Sequence, residues 1–223
     1  MITVHHLNAS RSQRVPWLLE ELGLPYDVRL YQRDAKTMLA PPELKRIHPL
    51  GKSPVITDDG QAIAESGAII QYIVEKHGNG KLMPPAGSPE HLRYTYWMHY
   101  AEGSAMPILV MRLIFGFIEK QKVPFFVKPI LTGIVKNVNQ NFLDPQFKLH
   151  FDFIEAELGK SEWFAGREFT AADVQMSFPL EAALARGPVG SQYPRIKAFV
   201  DRIRARPAYQ RASAKVGPLE VLA

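Results

Sequence analysis

Three short stretches carry residues whose types and spacing could do chemistry. Ser10-Arg11-Ser12 follows directly on the run ITVHHL; Lys52-Ser53-Pro54-Val55 lies inside PLGKSPVITDDG (49–60); and Glu65-Ser66 precedes the apolar pattern GAIIQYI. Ser10 and Gln13 have capping-box spacing, so Ser10 can hold a helix start; a hydroxyl that accepts a backbone N–H can still donate its own proton, here to an anion. Ser66 is placed to N-cap a helix starting at Gly67, and a helix N-terminus with a hydroxyl is also a carboxylate site. Glu65 beside it is either solvated or holds an ammonium. Pro54 opens a β-branched run although it cannot donate to a sheet ladder. Either it caps an edge strand, or Ser53-Pro54 is cis and turns the Val55 N–H and C=O toward an extended ligand that adds as a strand. An acid beside an anion trap suits an α-amino acid head group, and a backbone partner suits a peptide. Together they describe glutathione.

Other chemistries are excluded or weak. The chain of 223 residues has no cysteine, which removes disulfides, thiolate metal sites and a cysteine nucleophile, and fits a reducing compartment. His5 and His6 are neighbours on a strand and face opposite sides, so they cannot share a metal, and no metal is expected. GNGKL lacks the length of a phosphate loop. Asn8-Ala9-Ser10 spells a glycosylation sequon without a secretion signal. The net charge of +5 comes from scattered basic residues, and the densest cluster, RIKAFVDRIRARP (195–207), has helical spacing interrupted by Asp201, a solvated face and not a nucleic-acid module. MITVHHL lacks the features of a signal peptide. The apolar run AMPILVMRLIFGFI (105–118) carries Arg112, is too short to span a bilayer, and reads as a buried helix. A soluble cytoplasmic protein is expected.

These residues require a scaffold of two unlike halves. Up to about residue 77 the pattern changes every ten residues or so: strand ITVHHL, helix RSQRVPWLLEELG ended by Gly23, strand YDVRLY, a short helix around PPELKRI, a hairpin PVITD-DG-QAIA, and helix SGAIIQYIVEKHG. The order βαβαββα implies a mixed sheet whose last two strands are antiparallel. The Gly/Pro-rich GNGKLMPPAGSP (78–89) is the natural boundary between domains at 1–80 and 89–223. Beyond it only helical patterns follow. EHLRYTYWMHYAEGSAMPILVMRLIFGFIEKQ makes one long helix or two, Pro145 suits a first turn, and the aromatics YTYWMHY (94–100) serve core or dimer packing, with a ligand role as the alternative.

Taken together, SRSQR, LLEELGLPY, HPLGKSPVI, IAESGAIIQYI and FTAADVQMSFPLEA resemble the glutathione S-transferase family over nearly the whole chain. The resemblance implies a thioredoxin-like N-terminal domain followed by an all-α helical bundle, a homodimer, and conjugation of the glutathione thiolate to small, mostly apolar electrophiles, a detoxification chemistry. It implies that Glu65 and Ser66 hold the γ-glutamyl end, that Val55 after cis-Pro54 pairs with the cysteinyl part, and that Lys52 meets the glycine carboxylate. Thr170 and Asp173 match the family's buried capping box. No tyrosine ends the first strand, where Leu7 and Asn8 stand, and cysteine is absent, which leaves the serine-type, theta-like bacterial and fungal branch with Ser10 as the catalytic hydroxyl. Ser12 and Arg11 are the alternatives. A glutathione-dependent disulfide reductase or peroxidase would use the same site, and a non-enzymatic binding protein would keep the fold without turnover.

Overall fold

The computed structural model describes residues 1–186 and 189–219. Its first part has the order β1 (Ile2–Leu7), a 3-10 turn (Arg11–Gln13), α1 (Arg14–Leu22), β2 (Tyr26–Tyr31), α2 (Leu44–Ile47), β3 (Val55–Asp58), β4 (Gln61–Ala64) and α3 (Ser66–His77). Local rules set most of these boundaries. Gly23 ends α1 at φ 70, and its N–H returns to the Glu20 carbonyl, a left-handed cap that costs glycine nothing. Asp59 and Gly60 both take positive φ, as a two-residue hairpin turn between twisted strands requires.

The strands lie in the order β2-β1-β3-β4. β1 runs parallel to β2, with Val4 opposite Val28, and antiparallel to β3, with Val4 opposite Ile56. β3 pairs antiparallel with β4 from Val55–Ala64 to Asp58–Gln61. The parallel pair needs the α1 crossover, whereas the hairpin closes by itself. Ile2, Val4 and Ile56 bury one face of the sheet against α1 and α3. Leu7 and Val55 pack with Leu44 of α2 in a second, smaller core.

Among the described residues from 78 onward only helices form: α4 (Pro89–Tyr100), α5 (Met106–Glu119), α6 (Lys128–Val138), α7 (Asp144–Glu157), α8 (Ala171–Arg186), α9 (Val189–Gln192), α10 (Pro194–Arg204) and α11 (Pro207–Val216). A π turn at Ala101–Ala105 joins α4 to α5, so Pro89–Glu119 is one continuous helix of 31 residues. Another, Asn139–Leu143, joins α6 to α7, with Pro145 in the first turn of α7. This corrects one expectation. The run 105–118 is not a short buried helix: it belongs to a helix long and apolar enough, by length and composition, to cross a bilayer, and only 28% of that apolar window is buried. In the aromatic stretch Tyr94, Trp97 and Tyr100 are core, and Tyr96 is the exposed ring.

The main core is continuous from the sheet face through α1 and α3 into α4, α8 and α11. The buried Asp173 fixes the start of α8 by accepting from Thr170 N (2.8 Å), Thr170 Oγ1 (3.0 Å) and Phe164 N (2.8 Å). Burial pushes its carboxyl up to about 6 against the pull of those donors.

Candidate active site

A cleft of about 380 Å³ opens where the ends of β1 and β4, the loop before β3 and the start of α3 meet the long helix. Its walls include Arg11, Arg33, His48, Lys52, Ser53, Pro54, Glu65, Ser66 and Glu102. The carboxylates belong to the β4–α3 junction and the long helix, where Arg11 of the 3-10 turn pairs with Glu102, while Lys52, Arg33 and His48 come from the loops after β2 and before β3.

Ser53-Pro54 is a cis bond. β3, however, is an inner strand. Val55 is fully buried between His5 of β1 and Ala64 of β4, packs into the smaller core, and does not line the cleft. This corrects the expectation that Val55 offers an open strand edge. Ser53, just before the sheet pairs on both sides, reaches the cleft instead.

The start of α3 also differs from its sequence reading. Ser66 is the first helical residue and Glu65 takes the N-cap position, its carbonyl accepting from Ile69 N at 2.9 Å. Glu65 is exposed and holds φ 73, ψ 126, a backbone conformation costly for any residue but glycine, of the kind that accumulates at functional sites. The Ser66 hydroxyl does not cap the helix; it accepts from Arg14 Nη2 at 2.9 Å.

Arg14 and Glu102 escaped the sequence reading. Arg14 is completely buried at the start of α1, and donates to Gln175 O (2.6 Å), Gln175 Oε1 (2.9 Å), Ser66 Oγ and Glu102 Oε1 (2.5 Å). Glu102 sits in the π turn and also lies 3.1 Å from Arg11 Nε. Such turns are over-represented at functional sites because they re-aim a side chain from a helix. The one signal available was an arginine four residues ahead of Leu18 on the apolar face of α1. Arg33 is a third omission: half-buried, it is held by the Asn8, Met38 and Ala9 carbonyls and faces the cleft.

The two serines part company. Ser10 N-caps the 3-10 turn, accepting from Ser12 N at 3.2 Å, and its Oγ lies 2.7 Å from Leu7 O, 2.8 Å from Ser12 Oγ and 3.3 Å from Ser53 Oγ. Leu7 and Ser53 are both cleft residues, so Ser10 stands immediately behind the wall. Ser12 is fully buried and turned toward His6 Nδ1 at 2.9 Å. Burial pushes that imidazole down to about 4, so it is neutral at physiological pH. The reciprocal half of the capping box is missing, because the Gln13 amide donates to Gly217 O at 3.0 Å.

The fold is that of a glutathione transferase. The model of the glutathione S-transferase N-terminal domain matches residues 10–76, and that of the C-terminal domain matches residues 120–207. Glutathione S-transferase 3 of Schizosaccharomyces pombe is 37% identical over 217 residues, covering 97% of this chain and 88% of that protein. A crystal structure of a glutathione S-transferase from Actinobacillus pleuropneumoniae superposes with a TM-score of 0.81 at 31% identity, covering 100% of this chain and 97% of the other. A more distant relative, the disulfide-bond oxidoreductase YfcG of Escherichia coli, is 27% identical over 224 residues, with 96% and 95% covered. The chain belongs to the glutathione S-transferase family.

Proposed function

We propose that glutathione lies along this cleft with its γ-glutamyl head at Glu65 and Ser66 and its glycine carboxylate toward Lys52, and that the enzyme joins its thiolate to small, mostly apolar electrophiles. The observation that carries the reading is the sorting of charge. Glu65 and Glu102 suit the ammonium, Ser66 at the start of α3 suits the neighbouring carboxylate, and Lys52, Arg33 and His48 suit the carboxylate at the other end. Ser53 takes the backbone role first assigned to Val55. Arg14 orients Ser66 and Glu102 as a buried positioning residue.

A free thiol has a pKa of about 8.5, so little of it is thiolate near neutrality. Ser10 lowers that value by donating a hydrogen bond to the thiolate, while Arg11 adds positive charge from the same loop; Ser12, buried against His6, supports Ser10 from behind. The thiolate attacks the electrophilic carbon, the S–C bond forms as the leaving group departs with its electron pair, and the thiol proton passes to solvent. Among the described residues no group of three or more His, Cys, Asp or Glu side chains is placed to hold a metal ion.

The likeness to YfcG supports a second reading in which the same thiolate attacks a disulfide or a peroxide. Parallel turnover with an aryl halide, an organic peroxide and a small mixed disulfide separates the two. Dominant aryl-halide turnover supports conjugation, and turnover confined to the disulfide or peroxide overturns it. The proposal includes domains at 1–80 and 89–223, a cytoplasmic location, and a homodimer that covers exposed Leu92, Tyr96, Leu149 and Phe153 on α4 and α7.

A further inference from the structure

The hairpin between α5 and α6 carries an exposed apolar surface. At its apex Pro124–Val127 forms a turn closed by Val127 N to Pro124 O at 2.9 Å, and the two adjacent rings it presents are 88% exposed at Phe125 and 66% exposed at Phe126. Phe126, Ile130 and Ile134 continue from there at four-residue spacing along α6, all exposed. Exposed Ile114 and Phe117 line the facing helix α5. Two apolar stripes thus converge on an aromatic tip.

The charge around the tip has one sign. Residues 111–138 contain Arg112, Lys120, Lys122, Lys128 and Lys136 against the single acid Glu119, in a chain whose net charge is +5. Arg112 is paired with Asp144, and Lys128 reaches the Glu119 carbonyl. Lys120, Lys122 and Lys136 are exposed and form no ion pair among the described residues. Arg186 joins Lys120 and Phe117 around the apolar pocket at the base of the hairpin.

We infer that this tip docks the enzyme on an anionic lipid surface. A convex apex of two phenylalanines offers no groove to a folded partner, but it can enter the fluid boundary between headgroups and acyl chains. Lysines flanking it then meet lipid phosphates and carboxylates while their stems lie along the apolar stripes. The cytoplasmic leaflet supplies that negative surface. The long helix carries the tip away from both other surfaces: at 1.5 Å per residue Phe117 stands about 22 Å beyond Glu102 of the cleft and about 30 Å beyond Tyr96. Docking therefore leaves the cleft and the dimer face free.

The test is sedimentation of the full chain with vesicles of phosphatidylcholine alone or mixed with phosphatidylserine. Binding to the mixed vesicles only, weakened by salt, is expected. Phe125→Ser/Phe126→Ser should lower the partition coefficient at least about tenfold, and each of Lys120→Gln and Lys122→Gln about fivefold, from roughly 1 kcal/mol per basic residue at the surface. Melting and aryl-halide turnover should stay at the native values in all of them. No binding to mixed vesicles overturns the inference, as does binding that the phenylalanine and lysine variants leave intact. Self-association that Phe125→Ser/Phe126→Ser abolishes, without vesicle binding, overturns it in favour of a second copy of the chain on this face.

Discussion

Ser10→Ala tests the chemistry most directly, and the structure sets the size of its effect. In the free enzyme the Ser10 proton has a good acceptor in Leu7 O at 2.7 Å. Serving a thiolate means exchanging a neutral hydrogen bond, worth about 0.5–1.5 kcal/mol, for one to a charged group, worth about 1.5–3 kcal/mol. The net gain is about 1.2 kcal/mol, and at 1.36 kcal/mol per unit this raises the thiol pKa by about 0.9 unit in Ser10→Ala. The assay is the pH profile of kcat/KM for an aryl halide, read beside calorimetric affinity for glutathione, which should hardly change. Stability falls by about 1 kcal/mol whether or not Ser10 is catalytic, because the cap to Ser12 N is lost, so melting does not discriminate and the profile does. Ser12→Ala is the control: it strips His6 Nδ1 of its partner inside the protein, should cost about 1–3 kcal/mol of stability, and should move the profile less than Ser10→Ala, because Ser12 acts only through Ser10. A profile that neither serine variant moves would refute the serine mechanism and leave the thiolate to Arg11 and backbone N–H groups.

Glu65→Gly should move two measurements in opposite directions. Relief of the strain at φ 73 raises stability by about 1 kcal/mol, while loss of the carboxylate weakens glutathione by about 2 kcal/mol; unchanged affinity in calorimetry would show that Glu65 is merely solvated. Asp58→Asn addresses the acid limit. Burial pushes the Asp58 carboxyl up, but hydrogen bonds from His77 (2.8 Å), Tyr72 (2.9 Å) and Lys76 (3.3 Å) outweigh it and hold it at about 2, against an ordinary 3.8. A depressed carboxylate contributes stability that is present above its unfolded pKa and is lost as pH falls through the folded one. Urea unfolding of Asp58→Asn should therefore show a lower plateau near neutrality and a smaller loss between pH 3.8 and about 2; a loss as steep as the native chain's would contradict this.

Local chemistry made much of this protein legible in its sequence. Gly23 can only stop α1 there because no Cβ opposes φ 70, and Asp59-Gly60 can only be a hairpin turn. That Glu65 and Ser66 line the cleft was readable because they stand where β4 gives way to α3, where unpaired backbone groups and polar side chains coincide; Lys52 reaches it from the loop before β3. Tertiary structure decided the rest. The sheet order put β3 inside rather than at an edge, which removed Val55 from the cleft and brought Ser53 to it. Ser10 and Ser12 are alike in type and two residues apart; burial against His6 separates them, and burial is a property of the packed chain. Arg14 meets Glu102 across 88 residues and Gln175 across 161, and no periodicity announces contacts at that separation. The apolar run 105–118 looked like core by composition, yet hydrophobicity states only that a side chain gains from leaving water. Which surface receives it is settled by the helices that pack there, and among the described residues none covers Phe125 or Phe126.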